Sequence, residues 1–290
     1  MTGDAEYTPG IAKTTRMFRQ GEKVKIEAVQ PANRLIQITD PHIGGRPDYQ
    51  LLGLDTGHTL DEVLAAIAAA PSQPELMVVT GDVSANGAEA AYRRFLHKMQ
   101  PVACPWYWLP GNHDNPQRMD EIAPKRRPEL VALGNWRLLL LDTSVPGNIC
   151  GGLSEAELAR VAQLIEAHRA HPVLLMMHHQ PVPVGSHWID GHMLKEGRES
   201  FVDLIQRADN VRAVCWGHVH QQFDDELGHV GLHATPSTSV QFTPGSGPFA
   251  VDSEMPGYRW FELRDDGSYE TGVERVTVAE YSVDLASSGY

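Results

Sequence analysis

What most constrains the fold of this chain is a rhythm. From Arg34 onward, short apolar runs of strand length alternate with longer segments of helical period. Leu35–Thr39, Leu76–Thr80, Trp106–Leu109, Leu138–Leu141, Val173–Met177 and Ala213–Trp216 are strand-like in length and in β-branched or aromatic content. Between them, Leu60–Ala69, Ala88–Met99, Ser154–Arg169 and Arg198–Arg207 read as amphipathic helices. Ser154, followed by Glu157, opens one of these in capping-box style. Alternation of this kind predicts an α/β fold with buried sheets. Beyond Leu232 the pattern turns strand-rich, and Tyr258–Leu263 and Tyr269–Val276 read as a hairpin around Asp265-Asp266-Gly267. Residues 1–33 lack sustained periodicity and read as an extension, 34–276 as one domain, and 277–290 as a tail.

Composition removes several function classes. The chain carries 24 Lys+Arg against 37 Asp+Glu, a formal charge of −13, which argues against nucleic acid as a partner. A small anionic substrate held by a local positive site stays compatible with that charge. No apolar run is long enough for a signal-peptide core or a membrane span, so no membrane partner is expected. Cys104, Cys150 and Cys215 are widely spaced, odd in number and without a CxxC pair, which points to a reducing, cytoplasmic setting. The chain is expected to be a monomer or a homodimer.

The 14 histidines are the anomaly, and their placement is informative. Ligands of α/β sheets bind beyond the carboxyl ends of the strands. The first strand runs into Asp40-Pro41-His42, the second into Gly81-Asp82, and the third into Pro110-Gly111-Asn112-His113-Asp114. Val173–Met177 ends in His178-His179, and Ala213–Trp216 in Gly217-His218-Val219-His220. In an extended segment, residues two apart point the same way, so Asp40/His42 and His218/His220 can each aim at one place. Carboxylates and imidazoles without thiolates suit Mn, Fe or Zn. Asp40, His42, Asp82, Asn112, His178, His218 and His220 make seven ligands, too many for one tetrahedral ion. They suit two ions about 3.5–4 Å apart with a bridging carboxylate, for which Asp82 is the natural candidate. Gly81, Gly111 and Gly217 precede ligands where the backbone needs a sharp turn or close approach.

The ordered set Asp40-x-His42, Gly81-Asp82, Gly111-Asn112-His113-Asp114, His178 and Gly217-His218-x-His220 resembles the calcineurin-like metallophosphoesterase superfamily. The runs 141–147 (LDTSVPG), His187-Trp188-Ile189-Asp190 and 234–242 (ATPSTSVQF) are similar to bacterial class III cyclic-nucleotide phosphodiesterases. That resemblance implies a four-layer α/β/β/α sandwich of two mixed sheets and hydrolysis of 3′,5′-cyclic AMP to 5′-AMP. It implies one ion on Asp40, His42, Asp82 and His220, and a second on Asp82, Asn112, His178 and His218. Iron or manganese is its metal expectation. His113 becomes a non-ligand contacting the phosphate, and His179 falls outside the ligand set. Purple acid phosphatases carry Tyr three residues after the bridging Asp, and protein phosphatases Asp followed by Arg-Gly; here the run is Ala85-Asn86-Gly87. Neither subfamily mark is present, and Asp114 is the nearest candidate to orient His113.

The expected chemistry is in-line attack by a metal-bridging hydroxide. His113 protonates the leaving alkoxide as general acid, and His42, Asn112, His113 and His220 face the substrate. Alternatives are 2′,3′-cyclic nucleotides or other small phosphoesters on the same site, and a non-catalytic scaffold, which the intact ligand set disfavours. The segment holding His187, Trp188, Asp190 and His192 fits either a cap over a nucleotide or a loop packing its Trp. Residues 235–242 fit either a substrate wall or a buried final strand. His58, His97, His168, His171, His229 and His233 are expected to be surface or structural.

Overall fold

Short, largely buried strands pair into two mixed sheets in the computed structural model, which describes residues 32–289. β1 (Ala32–Ile38), β2 (Leu76–Thr80), β3 (Trp106–Leu109), β14 (Gly257–Arg264) and β15 (Tyr269–Arg275) form one sheet, in the order β15-β14-β1-β2-β3. β4 (Leu130–Leu133), β5 (Trp136–Leu140), β7 (Val173–Met176), β9 (Val211–Trp216), β10 (Phe223–Leu227) and β11 (Val230–Ala234) form the other, in the order β10-β11-β9-β7-β5-β4. β1, β2 and β3 run parallel, as do β5, β7, β9 and β11, while the antiparallel strands lie at the sheet margins. Two short pairs complete the strands: β6 (Gly151–Gly152) with β8 (Leu194–Glu196), and β12 (Gln241–Phe242) with β13 (Val251–Asp252).

Six helices cover the sheets: α1 (Thr56–Ala69), α2 (Glu89–Lys98), α3 (Pro116–Ile122), α4 (Glu155–Ala167), α5 (His187–Asp190) and α6 (Arg198–Arg207). Alternate strand residues sort into different layers. Ile36, Ile38, Met77 and Val79 pack with Leu60 and Val63 of α1 and Tyr92 and Phe95 of α2. Leu35, Leu76 and Val78 instead meet Leu138, Leu140, Leu174 and Met176 of the second sheet. Leu139, Leu175 and Val214 meet Val161 and Ile165 of α4 and Phe201 and Ile205 of α6. The resulting order, helix, sheet, sheet, helix, is the expected four-layer α/β sandwich. Fully buried, β-branched strands of this kind are typical of parallel sheets.

Element ends agree with local chemistry and correct the expectations in places. Asp55 caps α1 by accepting from Gly57 N and His58 N, so the helix starts four residues before the apolar pattern does. At α4 only half of the expected capping box forms. Ser154 accepts from Glu157 N, but the Glu157 carboxylate turns to Arg160. The strands β10 and β11 precede the expected onset of the strand-rich region. Phe223-Asp224-Asp225-Glu226-Leu227 is an acidic margin strand with little apolar alternation to reveal it. The 235–242 segment is not a final strand. Only Gln241–Phe242 is extended in a ladder, and the remainder is a buried loop. The proposed extension falls outside the described residues except for Ala32 and Asn33, which open β1. Within the proposed tail, Val278 is buried and Tyr281 and Val283 pack near Val240 and Phe242. Among the described residues no helix is long and apolar enough to cross a membrane, and the three cysteines are free thiols.

Candidate active site

The segments leaving β1, β2, β3, β7 and β9 meet at one end of the two sheets. Asp40 N donates to Gly81 O and His42 N to Asp82 O, which ties the first two together. Gly217 N donates to His178 O, tying the last two. The convergence is not produced by extended chain, as the spacing suggested. Asp40, His42, Asp82, His218 and His220 all have positive φ, between 45° and 65°. Among the described residues only Leu52 and Glu280 share this among non-glycines. Left-handed conformations cost roughly 1–3 kcal/mol each and concentrate where the surroundings enforce them. The bends leave no room beside them. A Cβ on Gly111 would lie 2.1 Å from Asp82 Oδ1, and one on Gly217 2.0 Å from Thr39 Oγ1.

Each buried carboxylate spends one oxygen on the backbone and presents the other. Asp40 Oδ2 accepts from His218 N at 3.0 Å and lies 2.6 Å from the Thr39 hydroxyl. Asp40 Oδ1 faces His220 Nε2 at 3.2 Å and His42 Nε2 at 3.9 Å. Asp82 Oδ1 accepts from His113 N at 2.8 Å. Asp82 Oδ2 lies 3.7 Å from His42 Nε2 and 3.3 Å from His178 Nε2, so it belongs to both halves of the cluster. Asn112 Oδ1 is 3.2 Å from His178 Nε2.

Backbone carbonyls fix the imidazole tautomers. His178 Nδ1 donates to Thr80 O and His220 Nδ1 to Val240 O, which turns each Nε2 inward. His218 donates from Nε2 to His192 O, so its lone pair is on Nδ1. His42 Nε2 and His220 Nε2 stand 3.2 Å apart. Burial pushes the pKa of His42 down to about 3, only partly opposed by Asp82. Burial also works against a charge on His178, but the Asp82 carboxylate beside it raises its pKa to about 9. Burial opposes ionisation of Asp82 in turn, yet His178 and His113 hold it well below the usual carboxylate range. Among the described residues, the ion-pair partners of Asp40 and Asp82 are all histidines.

Such a set of inward-facing carboxylates and imidazoles suits a cation. Groups with ligand atoms close enough to hold a metal include Asp40/His42/His220 and Asp40/Asp82/His178, with His42/Asp82/His113 beside them. Donor types, fixed tautomers and a shared carboxylate fit two divalent ions.

The neighbours of the cluster correct one expectation and sharpen others. Asp114 does not orient His113. It accepts from the backbone N–H of Val83, Ser84 and Gly111 and from the Tyr92 hydroxyl, pinning the β2 and β3 loops together. Burial and the nearby Asp82 charge outweigh those donors and raise its pKa to about 6. The Ala85 carbonyl orients His113 instead, accepting from Nδ1 at 3.0 Å. A backbone acceptor carries no side-chain signal, so residue types could not reveal it. His179, expected outside the ligand set, is fully buried beside it, with Thr143 Oγ1 and Ile149 O occupying its two ring nitrogens. The 235–242 loop braces the first bend, with the Ser237 and Ser239 hydroxyls both donating to Asp40 O.

A cavity of about 390 Å³ opens from Asp82, Asn112, His113 and His218 toward Ile149 and Trp188. Trp188 is packed by its loop, edge-on to Phe242 and Phe249, and it also lines this cavity.

A family model described as Calcineurin-like phosphoesterase matches residues 33–222. The chain is 39% identical over 258 residues to the 3′,5′-cyclic adenosine monophosphate phosphodiesterase CpdA of Pseudomonas aeruginosa, covering 88% of this chain and 94% of that one. It is 37% identical over 265 residues to the protein of the same description from Escherichia coli K12, covering 89% and 94%. A dimetal phosphatase from Danio rerio has the same fold, with a TM-score of 0.60 at 14% identity over 83% of this chain and 98% of that one. Sequence and architecture agree: the chain belongs to the calcineurin-like phosphoesterase family.

Proposed function

We propose that this chain is a metal-dependent phosphodiesterase that hydrolyses 3′,5′-cyclic AMP to 5′-AMP. The observation that carries the reading is the pair of acceptor clusters sharing Asp82 beside His113, in a chain similar over most of its length to enzymes described as cyclic AMP phosphodiesterases. Asp40, His42, Asp82 and His220 would hold one ion, and Asp82, Asn112, His178 and His218 the second. Iron or manganese suits these ligands, and zinc is chemically compatible. Bound there, two divalent ions supply Lewis-acid stabilisation of the phosphoryl oxygens and an acidified water as nucleophile.

The chain's own groups do the rest. With the two ions counted against Asp40 and Asp82, the pocket carries net positive charge and attracts a phosphodiester monoanion although the whole chain is at −13. Asn112 supports the phosphoryl oxygens. As the bond from phosphorus to O3′ breaks, His113 hands its Nε2 proton to that oxygen, while the Ala85 carbonyl holds the ring by Nδ1. The free thiols Cys104, Cys150 and Cys215 fit a cytoplasmic setting.

The test is turnover of cyclic AMP, 2′,3′-cyclic AMP and bis(p-nitrophenyl) phosphate by manganese-reconstituted protein. Preference for 3′,5′-cyclic AMP is expected. No cyclic AMP turnover by protein containing two metals would remove the substrate assignment and leave only the family.

A further inference from the structure

Ile149 is one of two large hydrophobic side chains that the described residues leave exposed, at 54%. It does not sit on a random loop. Its carbonyl accepts from Nε2 of the buried His179, whose ring lies 4.7 Å from that of His218 and 4.8 Å from that of His178. Gly151 lets the loop close on that ring, because a Cβ there would lie 2.5 Å from His179 Cγ. Trp188 is anchored to the same end of the cluster by another route. His192 Nδ1 donates to Trp188 O, and His192 O accepts from His218 Nε2. Phe242 and Phe249 hold the indole edge-on from behind. Two apolar surfaces from separate loops are thus each tied by hydrogen bonds to the His178/His218 end, and both line the cavity that begins at Asp82, Asn112 and His113.

We propose that Ile149 and Trp188 form the two walls of a slot that takes the adenine ring of the substrate and sets nucleotide affinity. The proposal rests on the phosphodiesterase reading above. A flat aromatic ring is what such a pair of walls accommodates, since its two weakly hydrated faces are taken out of water while its polar edge stays open. Single exposed apolar residues need no explanation in general. This one is held in place by a buried histidine beside the ligand cluster, and that sets it apart.

The experiment compares 3′,5′-cyclic AMP with ribose 3′,5′-cyclic phosphate, which has no base. In Ile149→Ser, KM for cyclic AMP should rise about fivefold more than KM for the base-free compound. Trp188→Leu, which keeps an apolar side chain against Phe242 and Phe249, should act in the same direction. Equal changes for the two substrates, or wild-type protein that shows no preference for the nucleotide, would overturn the slot and leave hydrolysis intact. Binding of 5′-AMP against ribose 5-phosphate, followed by tryptophan fluorescence, tests the slot independently of turnover. If hydrolysis failed, tighter 5′-AMP binding that Ile149→Ser weakens would still support the slot, and equal binding of the two ligands would overturn it.

Discussion

Two clusters of histidine and aspartate stand out among the described residues, one with its carboxylate partly exposed at a sheet margin and one buried at the strand ends, and they are built on different principles. At the margin of the sheets, Asp224 Oδ1 meets His233 Nδ1 at 2.7 Å and the fully buried Arg259 guanidinium at 2.8 Å. His233 Nε2 pairs with the Tyr269 hydroxyl, and Arg259 also donates to Ala234 O. Negative charge there has its positive partner. At the strand ends, the ion-pair partners of Asp40 and Asp82 among the described residues are histidines, and backbone carbonyls turn Nε2 of His178 and His220 inward. Five left-handed residues add strain there. The first cluster is paired as folded. The second gathers carboxylates and imidazoles whose donor types suit divalent cations.

The comparison breaks most sharply at Asp82. Asp82→Ala removes the only carboxylate shared by both halves, so metal content should fall below two per chain and cyclic AMP turnover by at least about 10⁴-fold. Elemental analysis and activity read this together. Next comes His113→Ala, which keeps the backbone N–H that Asp82 Oδ1 accepts. Both metals should remain while kcat falls about 10²–10⁴-fold, and full activity in a metal-replete variant would remove the general-acid role. A smaller change is expected from Ser237→Ala with Ser239→Ala, which releases the Asp40 carbonyl. Metal affinity should weaken about tenfold, measured by competition with a chelator, with little change in thermal stability.

The paired cluster should behave in the reverse way. Asp224→Asn should lower stability by about 1–3 kcal/mol in denaturant titrations while metal content stays at two. Burial opposes the Asp224 charge, but His233 and Arg259 hold its pKa at about 2 in the folded chain. The unfolded chain therefore binds this proton more readily. Stability from this group is present above about pH 4 and is lost as pH falls toward 2. The site titrates on the alkaline side: in metal-free protein His178 holds its proton up to about pH 9 beside Asp82. Metal uptake at pH 7 should release that proton, and affinity should rise with pH. Proton release measured in weakly buffered solution checks this.

Most of the architecture and all of the strand-end residues could be read from residue types, for physical reasons. A buried parallel strand must be apolar throughout, so Leu76–Thr80 and Val173–Met176 stand out. Glycines at 81, 111 and 217 mark bends whose neighbours would collide with any Cβ. What stayed hidden depends on backbone and on long-range contact. The bends themselves are left-handed rather than extended, because bridging contacts across strand ends override local preference. The group that orients His113 is a carbonyl, and the carboxylate beside it serves N–H groups instead. The acidic β10 strand is specified by its Asp224 pairing with Arg259 and His233, which are far away or on the next strand.

The central claim is that the strand-end cluster is a two-cation site for phosphodiester hydrolysis. Its most direct test is titration of metal-free protein with manganese while cyclic AMP turnover is followed. The account predicts that activity rises to its plateau as the second equivalent per chain is bound, with 5′-AMP as the sole product. Full turnover without metal, or none with two equivalents bound, would contradict it.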